Sequence, residues 1–266
     1  MRIARILPSL FVAVLVSATV SLCQAADSAA NPHVSCPNHF HKGRTPLLVN
    51  QNLAIKTRAL CNTAYAVLHS GRTLGPLWSA EHLTRQSLLR ARSLARTNSF
   101  RPDIRIPAGE RAELFDYARS GFDRGHMAPN GDMPDSDSQA ESFVLSNMIP
   151  QDPASNRHLW SDIESATRHM ASREGEAFVV TGPSFYGPGR RVGRVAVPDA
   201  MWKAVYLPAS QQAAAYFAPN KAGSEYYVIS IAELTKSVGI DPFPSLPPSV
   251  KATAAKLTAP RARGSY

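Results

Sequence analysis

The segment Asp123-Arg124-Gly125-His126-Met127-Ala128-Pro129-Asn130-Gly131-Asp132-Met133 places an arginine two positions from a histidine, around a flexible glycine. On an extended strand, positions i and i+2 point to the same face, so Arg124 and His126 converge on one small object. A phosphate diester suits both groups. The planar guanidinium neutralises phosphate oxygens, and a neutral imidazole, with an unperturbed pKa of about 6.5, takes a proton from water.

A second polar cluster follows. Phe143-Val144-Leu145 reads as a short buried strand leading into Ser146-Asn147, with Pro150 and Pro153 stopping it. The stretch from Ala154 to Ser172, closed by Gly175, reads as a helix. It carries Asn156, Trp160, Glu164 and Arg168 at steps of four, which drift by about 40° per step and share one broad face. An amphipathic helix normally buries aliphatic residues on such a face. This one offers an amide, an indole, a carboxylate and a guanidinium. The plainer reading is an asparagine near a helix start, a partly buried indole and a surface ion pair. Two strands and a helix holding His, Asn, Glu and Arg nevertheless supply every group that phosphodiester hydrolysis needs.

These residues resemble a known family. Asp123-Arg124-Gly125-His126-Met127-Ala128-Pro129, Ser146-Asn147 with Pro150-Gln151, and then Asn156, Trp160 and Glu164 are similar to the non-specific DNA/RNA endonucleases of the ββα-metal fold, relatives of the secreted Serratia nuclease and of endonuclease G. Tyr65 to Gly71, Pro76 to Thr84, Thr181-Gly182-Pro183 and Leu234 with Gly239 to Pro244 sit where that family has similar stretches. The resemblance extends over most of the mature chain.

The resemblance implies His126 as general base and Asn156 as the one direct protein ligand of a Mg²⁺ ion, with Mn²⁺ as the alternative. It implies that Glu164 orients metal-bound water, that Arg124 and Arg168 bind the phosphate, and that Asn147 fixes the geometry around the histidine and metal. A further family arginine, a few residues before an aromatic and an aspartate, fits Arg96 in Arg96-Thr97-Asn98-Ser99-Phe100-Arg101-Pro102-Asp103, with Arg92 and Arg101 competing for that place. The chemistry is consistent: magnesium keeps several waters and uses few protein ligands, and a zinc site would look different.

Composition points the same way. A formal net charge of +9 favours polyanionic partners, here DNA and RNA, through steering and counterion release. Arg190, Arg191 and Arg194 lie in a Gly-rich turn that either tracks a nucleic-acid backbone or forms a solvated hairpin tip.

Met1 to Arg5 supplies a positive n-region, Ile6 to Leu22 is apolar and uncharged, and Cys23-Gln24-Ala25 ends in a cleavage site. Residues 1–25 therefore read as a signal peptide. A periplasmic or secreted protein without stable membrane association after cleavage is expected. Cleavage leaves Cys36 and Cys61, which read as one disulfide, against two free thiols or a metal pair with His39 and His41.

The remainder, 26–266, suits a single domain with an extended arm over 26–50 and a loose tail over 249–266. Strand-like runs at 64–68, 143–145, 177–181, 204–207, 213–217 and 226–231 alternate with helices at 83–95, 154–172 and 231–237, suggesting an α+β fold with a largely antiparallel sheet. Asp132, Asp135 and Asp137 lack the glycine and closing glutamate of a calcium loop, and no G-x-S-x-G elbow, P-loop or dinucleotide fingerprint is present. Two readings of different class remain besides a phosphodiesterase for small nucleotides: an exported, sugar-non-specific, metal-dependent endonuclease, and a catalytically silent nucleic-acid binder. The intact His126, Asn156 and Glu164 favour the first. Oligomeric state is not set by the sequence.

Overall fold

The computed structural model describes residues 36–261. The expected signal peptide, residues 26–35 of the arm and residues 262–266 of the tail lie outside the described residues.

Strand alternation organises the centre. Trp78 and Ala80 of one strand point to one side and Ser79, Glu81 and Leu83 to the other, and almost the whole strand is buried. In chain order the elements are β1 (Leu47–Leu48), β2 (Thr57–Cys61), β3 (Tyr65–Ser70), β4 (Gly75–Thr84), α1 (Arg85–Ala91), α2 (Leu114–Tyr117), β5 (Asp123–His126), α3 (Ser136–Ser142) and β6 (Met148–Gln151). A helical stretch follows as α4 (Pro153–Ser155), a π turn (Asn156–Trp160) and α5 (Ser161–Glu174). Then come β7 (Glu176–Ser184), β8 (Arg191–Val192), β9 (Val195–Ala196), β10 (Ala200–Leu207), β11 (Gln212–Pro219), β12 (Tyr227–Ile229), α6 (Ile231–Val238), β13 (Ile240–Asp241) and α7 (Pro248–Ala252).

Seven strands form one antiparallel sheet in the order β12-β11-β10-β7-β4-β3-β2. One face packs Trp78, Val180, Trp202 and Ala204 against Phe40, Leu48, Ile231, Leu234 and Phe243. The other packs Leu83, Val179, Met201 and Val205 against Leu159, Trp160, Ile163 and Met170 of the long helical stretch. Apolar burial on both faces fixes the helix against the sheet. Gly182 permits closest approach: a Cβ there would collide with Trp202 and with the Leu77 carbonyl. The fold is α+β with a large antiparallel sheet, as expected.

Several local expectations change. Phe143–Leu145 is not a strand: Phe143 caps α3 and Leu145 opens a 3₁₀ turn. The run is buried because Phe143 packs against Phe100 and His126, and its β contact is limited to an isolated bridge between Val144 and Arg101. The strand is Met148–Gln151, where Pro150 pairs with Arg124 in a two-stranded ribbon that tolerates a missing donor. The helix expected over 83–95 covers Arg85–Ala91, because Leu83 continues β4 and Thr84 forms a capping box with Ser87.

Both ends are better anchored than their composition suggests. Cys36 and Cys61 are disulfide-bonded, Phe40 and Leu48 are in the core, and β1 pairs with β13. The disulfide uses the sulfurs that the metal alternative required, and His41 instead packs on Phe178 and Tyr206. In the tail, Leu257 is buried and the Ala255 N–H bonds the Ala213 carbonyl. Among the described residues no helix is long and apolar enough to cross a membrane.

Candidate active site

The ribbon of β5 and β6 pairs Asp123 with Gln151 and His126 with Met148. Gly125 serves packing rather than flexibility: its φ lies outside the left-handed region, and a Cβ there would collide with the Gln151 side chain. Arg124 and His126 share the ribbon face that borders a cleft of about 1350 Å³. Phe100 supports both, with the Arg124 guanidinium 3.9 Å from its ring centre and the imidazole centroid at 5.8 Å.

Asn156 and Glu164 reach the same cleft from the helix. Eight residues of ideal α-helix would rotate them apart by about 80°. The π turn at Asn156–Trp160 winds less per residue and removes part of that drift. Asn156 Nδ2 donates to Asp123 Oδ2 at 2.9 Å. A carboxylate only accepts, so this contact fixes which end of the amide faces Asp123 and leaves Oδ1 for a cation. Arg157 donates twice to the same carboxylate, at 2.7 and 2.9 Å. Burial opposes ionisation of Asp123, but these hydrogen bonds outweigh it and hold the carboxyl below its ordinary range.

His126 is 8% exposed. Burial, with the Arg96 and Arg124 charges beside it, pushes its pKa down to about 3, so the imidazole is neutral at any physiological pH. Its Nε2 is buried without a partner, which leaves Nδ1 as the nitrogen to serve the cleft. Glu164 is half-buried, and burial lifts its pKa to about 7 against the pull of Arg168 and Lys203. The all-oxygen set of Asn156 and Glu164 fits a hard, water-retaining cation such as Mg²⁺ or Mn²⁺.

Of the competing arginines, Arg96 lies 5.2 Å over Phe143, itself packed on His126, while Arg101 is spent on the Ala140 and Ser99 carbonyls. Arg92 also borders the cleft. Arg168 reaches the cleft, but its charge is shared with buried Asp132 at 2.8 Å. Asp132 is thus committed to that pair, and Asp135 caps α3. Asn147 is fully buried: Oδ1 accepts from Ala128 N–H and Ser79 Oγ, and Nδ2 donates to the Ala128 and Ser142 carbonyls. It pins the backbone just after His126 and has no atom left for a metal.

A polar stripe on the sheet beneath the helix escaped sequence reasoning. Thr181 pairs with both Ser79 and Lys203, and buried Lys203 Nζ donates to Thr181 Oγ1 at 2.7 Å. Glu81, fully buried, has neither carboxylate oxygen hydrogen-bonded. The only signal available was the alternation Ser79, Glu81, Leu83, which places two polar groups on a core face.

A short antiparallel ribbon followed by a helix, with His, Asn and Glu facing one arginine-lined cleft, defines the ββα nuclease class of fold. The chain belongs to the DNA/RNA non-specific endonuclease family, whose sequence profile matches residues 44–249. It is 35% identical over 176 residues to nuclease C1 of Cunninghamella echinulata var. echinulata, covering 60% of this chain and 70% of that protein. Identity to a nuclease of Nostoc sp. is 31%, covering 59% of this chain and 63% of the relative. For the human mitochondrial nuclease EXOG it is 31%, covering 71% and 58%. The chain thus matches less than two thirds of the Nostoc and human relatives. A solved EndoG/EndoGI complex contains a chain that superposes with TM-score 0.60 at 25% identity, covering 74% of this chain and 91% of that one.

Proposed function

We propose that this protein is an exported, metal-dependent endonuclease that hydrolyses phosphodiester bonds in both DNA and RNA. The observation that carries this reading is the convergence of a neutral, buried imidazole and an amide oxygen held toward the same cleft by Asp123. The reaction is base-assisted attack of water on phosphorus.

His126 takes the proton from the attacking water through Nδ1. A pKa of about 3 guarantees the neutral form but gives a weak acceptor. Bringing an anionic phosphate beside Arg124 and Arg96 offsets the two positive charges that help depress it, so substrate strengthens the base. Arg124, Arg96 and Arg168 hold the phosphate oxygens, and Arg168 keeps its orientation from Asp132. Asn147 holds the His126 to Ala128 backbone in place. Asn156 would hold Mg²⁺ or Mn²⁺ through Oδ1, and Glu164 would order the water around it. When bound, the cation supplies positive charge for the non-bridging oxygens and the departing alkoxide. The Cys36–Cys61 disulfide supports an oxidising, periplasmic or extracellular location.

The test is incubation of the purified protein with plasmid DNA and with structured RNA, with Mg²⁺ and with a chelator. Internal cleavage of both polymers, abolished by the chelator, is expected. A band shift without cleavage under every metal condition would favour the silent binder.

A further inference from the structure

The cleft continues past the reacting centre along β5. Phe122, Arg124 and His126 alternate on the same face, and all three border the cleft. Phe122 stands about 13 Å of extended chain before His126. The Arg190 guanidinium lies 5.3 Å over the Phe122 ring centre. Arg119 also borders the cleft, exposed and without an ion-pair partner among the described residues. It sits at φ +56°, in the left-handed region that non-glycine residues rarely adopt, and it projects from the turn between α2 and β5.

This corner differs from the rest of the β8–β9 hairpin. Arg194 is committed to Asp116 at 2.7 Å, and Arg191 bonds the Arg72 carbonyl. Those two arginines hold the hairpin, whereas Arg190 lies over the Phe122 ring and exposed Arg119, three residues before Phe122, borders the same cleft. A ring that carries a guanidinium over one face and borders the cleft suits a base stacked on its other face, with the phosphates beside the arginines. In a duplex both faces of each base are already stacked, so only an unpaired base gains from such a ring.

We infer that Phe122, Arg119 and Arg190 form a subsite for an unpaired nucleotide of the substrate strand, giving the enzyme tighter binding to single-stranded than to duplex nucleic acid. The inference rests on the nuclease reading and extends it to a strand preference. Charge complementarity and continuity with the cleft identify the occupant.

Binding without turnover separates the two ideas. Fluorescence anisotropy in chelator would measure a labelled, unstructured 20-nucleotide DNA strand and its matched duplex against wild type, Phe122→Leu, Phe122→Trp and Arg190→Ala. Phe122→Leu keeps apolar volume without a π face. It should weaken strand binding about tenfold, leave duplex binding within about twofold, and be rescued by tryptophan. Arg190→Ala should weaken the strand in the same sense. Equal losses on strand and duplex, wild-type strand binding by Phe122→Leu, or no strand preference in wild type would overturn the subsite. A parallel Mg²⁺ reaction reports cleavage: intact strand preference without cleavage would sink the nuclease reading and leave the subsite standing.

Discussion

Asp123 sets the orientation of Asn156: its Oδ2 accepts from the amide nitrogen at 2.9 Å, which turns the amide oxygen toward the cleft. Asp123→Asn abolishes the acceptor-only character that fixes the amide. The Mg²⁺ concentration for half-maximal cleavage should then rise about 10- to 100-fold, the usual effect of losing a partner behind a metal ligand. Arg157→Ala removes only the exposed partner of Asp123, so its metal titration should stay within about threefold of wild type. Matching curves for wild type and Asp123→Asn would detach Asp123 from metal binding.

Glu81 gives a pH-dependent stability effect. Burial holds its carboxyl well above the ordinary 4.5, so unfolding releases a proton and ionisation favours the unfolded chain at every pH above about 4.5. Glu81→Gln removes that penalty. Urea unfolding should show the variant more stable than wild type at pH 7, with the gain vanishing near pH 4.5. A variant less stable than wild type at pH 7 would mean that the carboxylate is ionised and needed.

His126 acts in the opposite direction. Its pKa falls from 6.5 in the unfolded chain to about 3 in the fold, so its stabilising contribution is complete above 6.5 and is lost as pH falls toward 3. Relative to His126→Gln, the wild type should lose about 2 kcal/mol between pH 7 and pH 5. Parallel pH–stability curves for the two proteins would mean that the imidazole is solvated.

The disulfide closes a separation of 25 residues. Cys36→Ser with Cys61→Ser should lower stability by about 3 kcal/mol in the chain-entropy treatment, measured by thermal or urea unfolding. An unchanged melting midpoint would show that β1 and Phe40 hold the arm without it.

The sequence made the site more readable than its support. Arg124 and His126 could be paired from strand alternation alone, and the steps of four from Asn156 pointed to one helix face. The π turn that improves the alignment of Asn156 with Glu164 leaves no compositional mark, because it depends on how Trp160 seats against the sheet. Gly125 was visible, but its reason lies across the ribbon in Gln151. Phe143 misled because three apolar residues in a row mark burial without specifying a strand. Lys203 and Glu81 were hidden for a related reason: each sits in a strand whose apolar neighbours signal a core, and their partnership with the site exists only across the sheet.

The central claim is that His126 activates water. Single-turnover cleavage of plasmid DNA at saturating Mg²⁺ tests it directly, comparing wild type with His126→Ala after unfolding curves confirm that the variant is folded. The rate should fall by about 10²–10⁴-fold, the usual contribution of a general base, with little change in DNA affinity measured in chelator. A folded His126→Ala protein that cleaves at close to the wild-type rate would contradict the account.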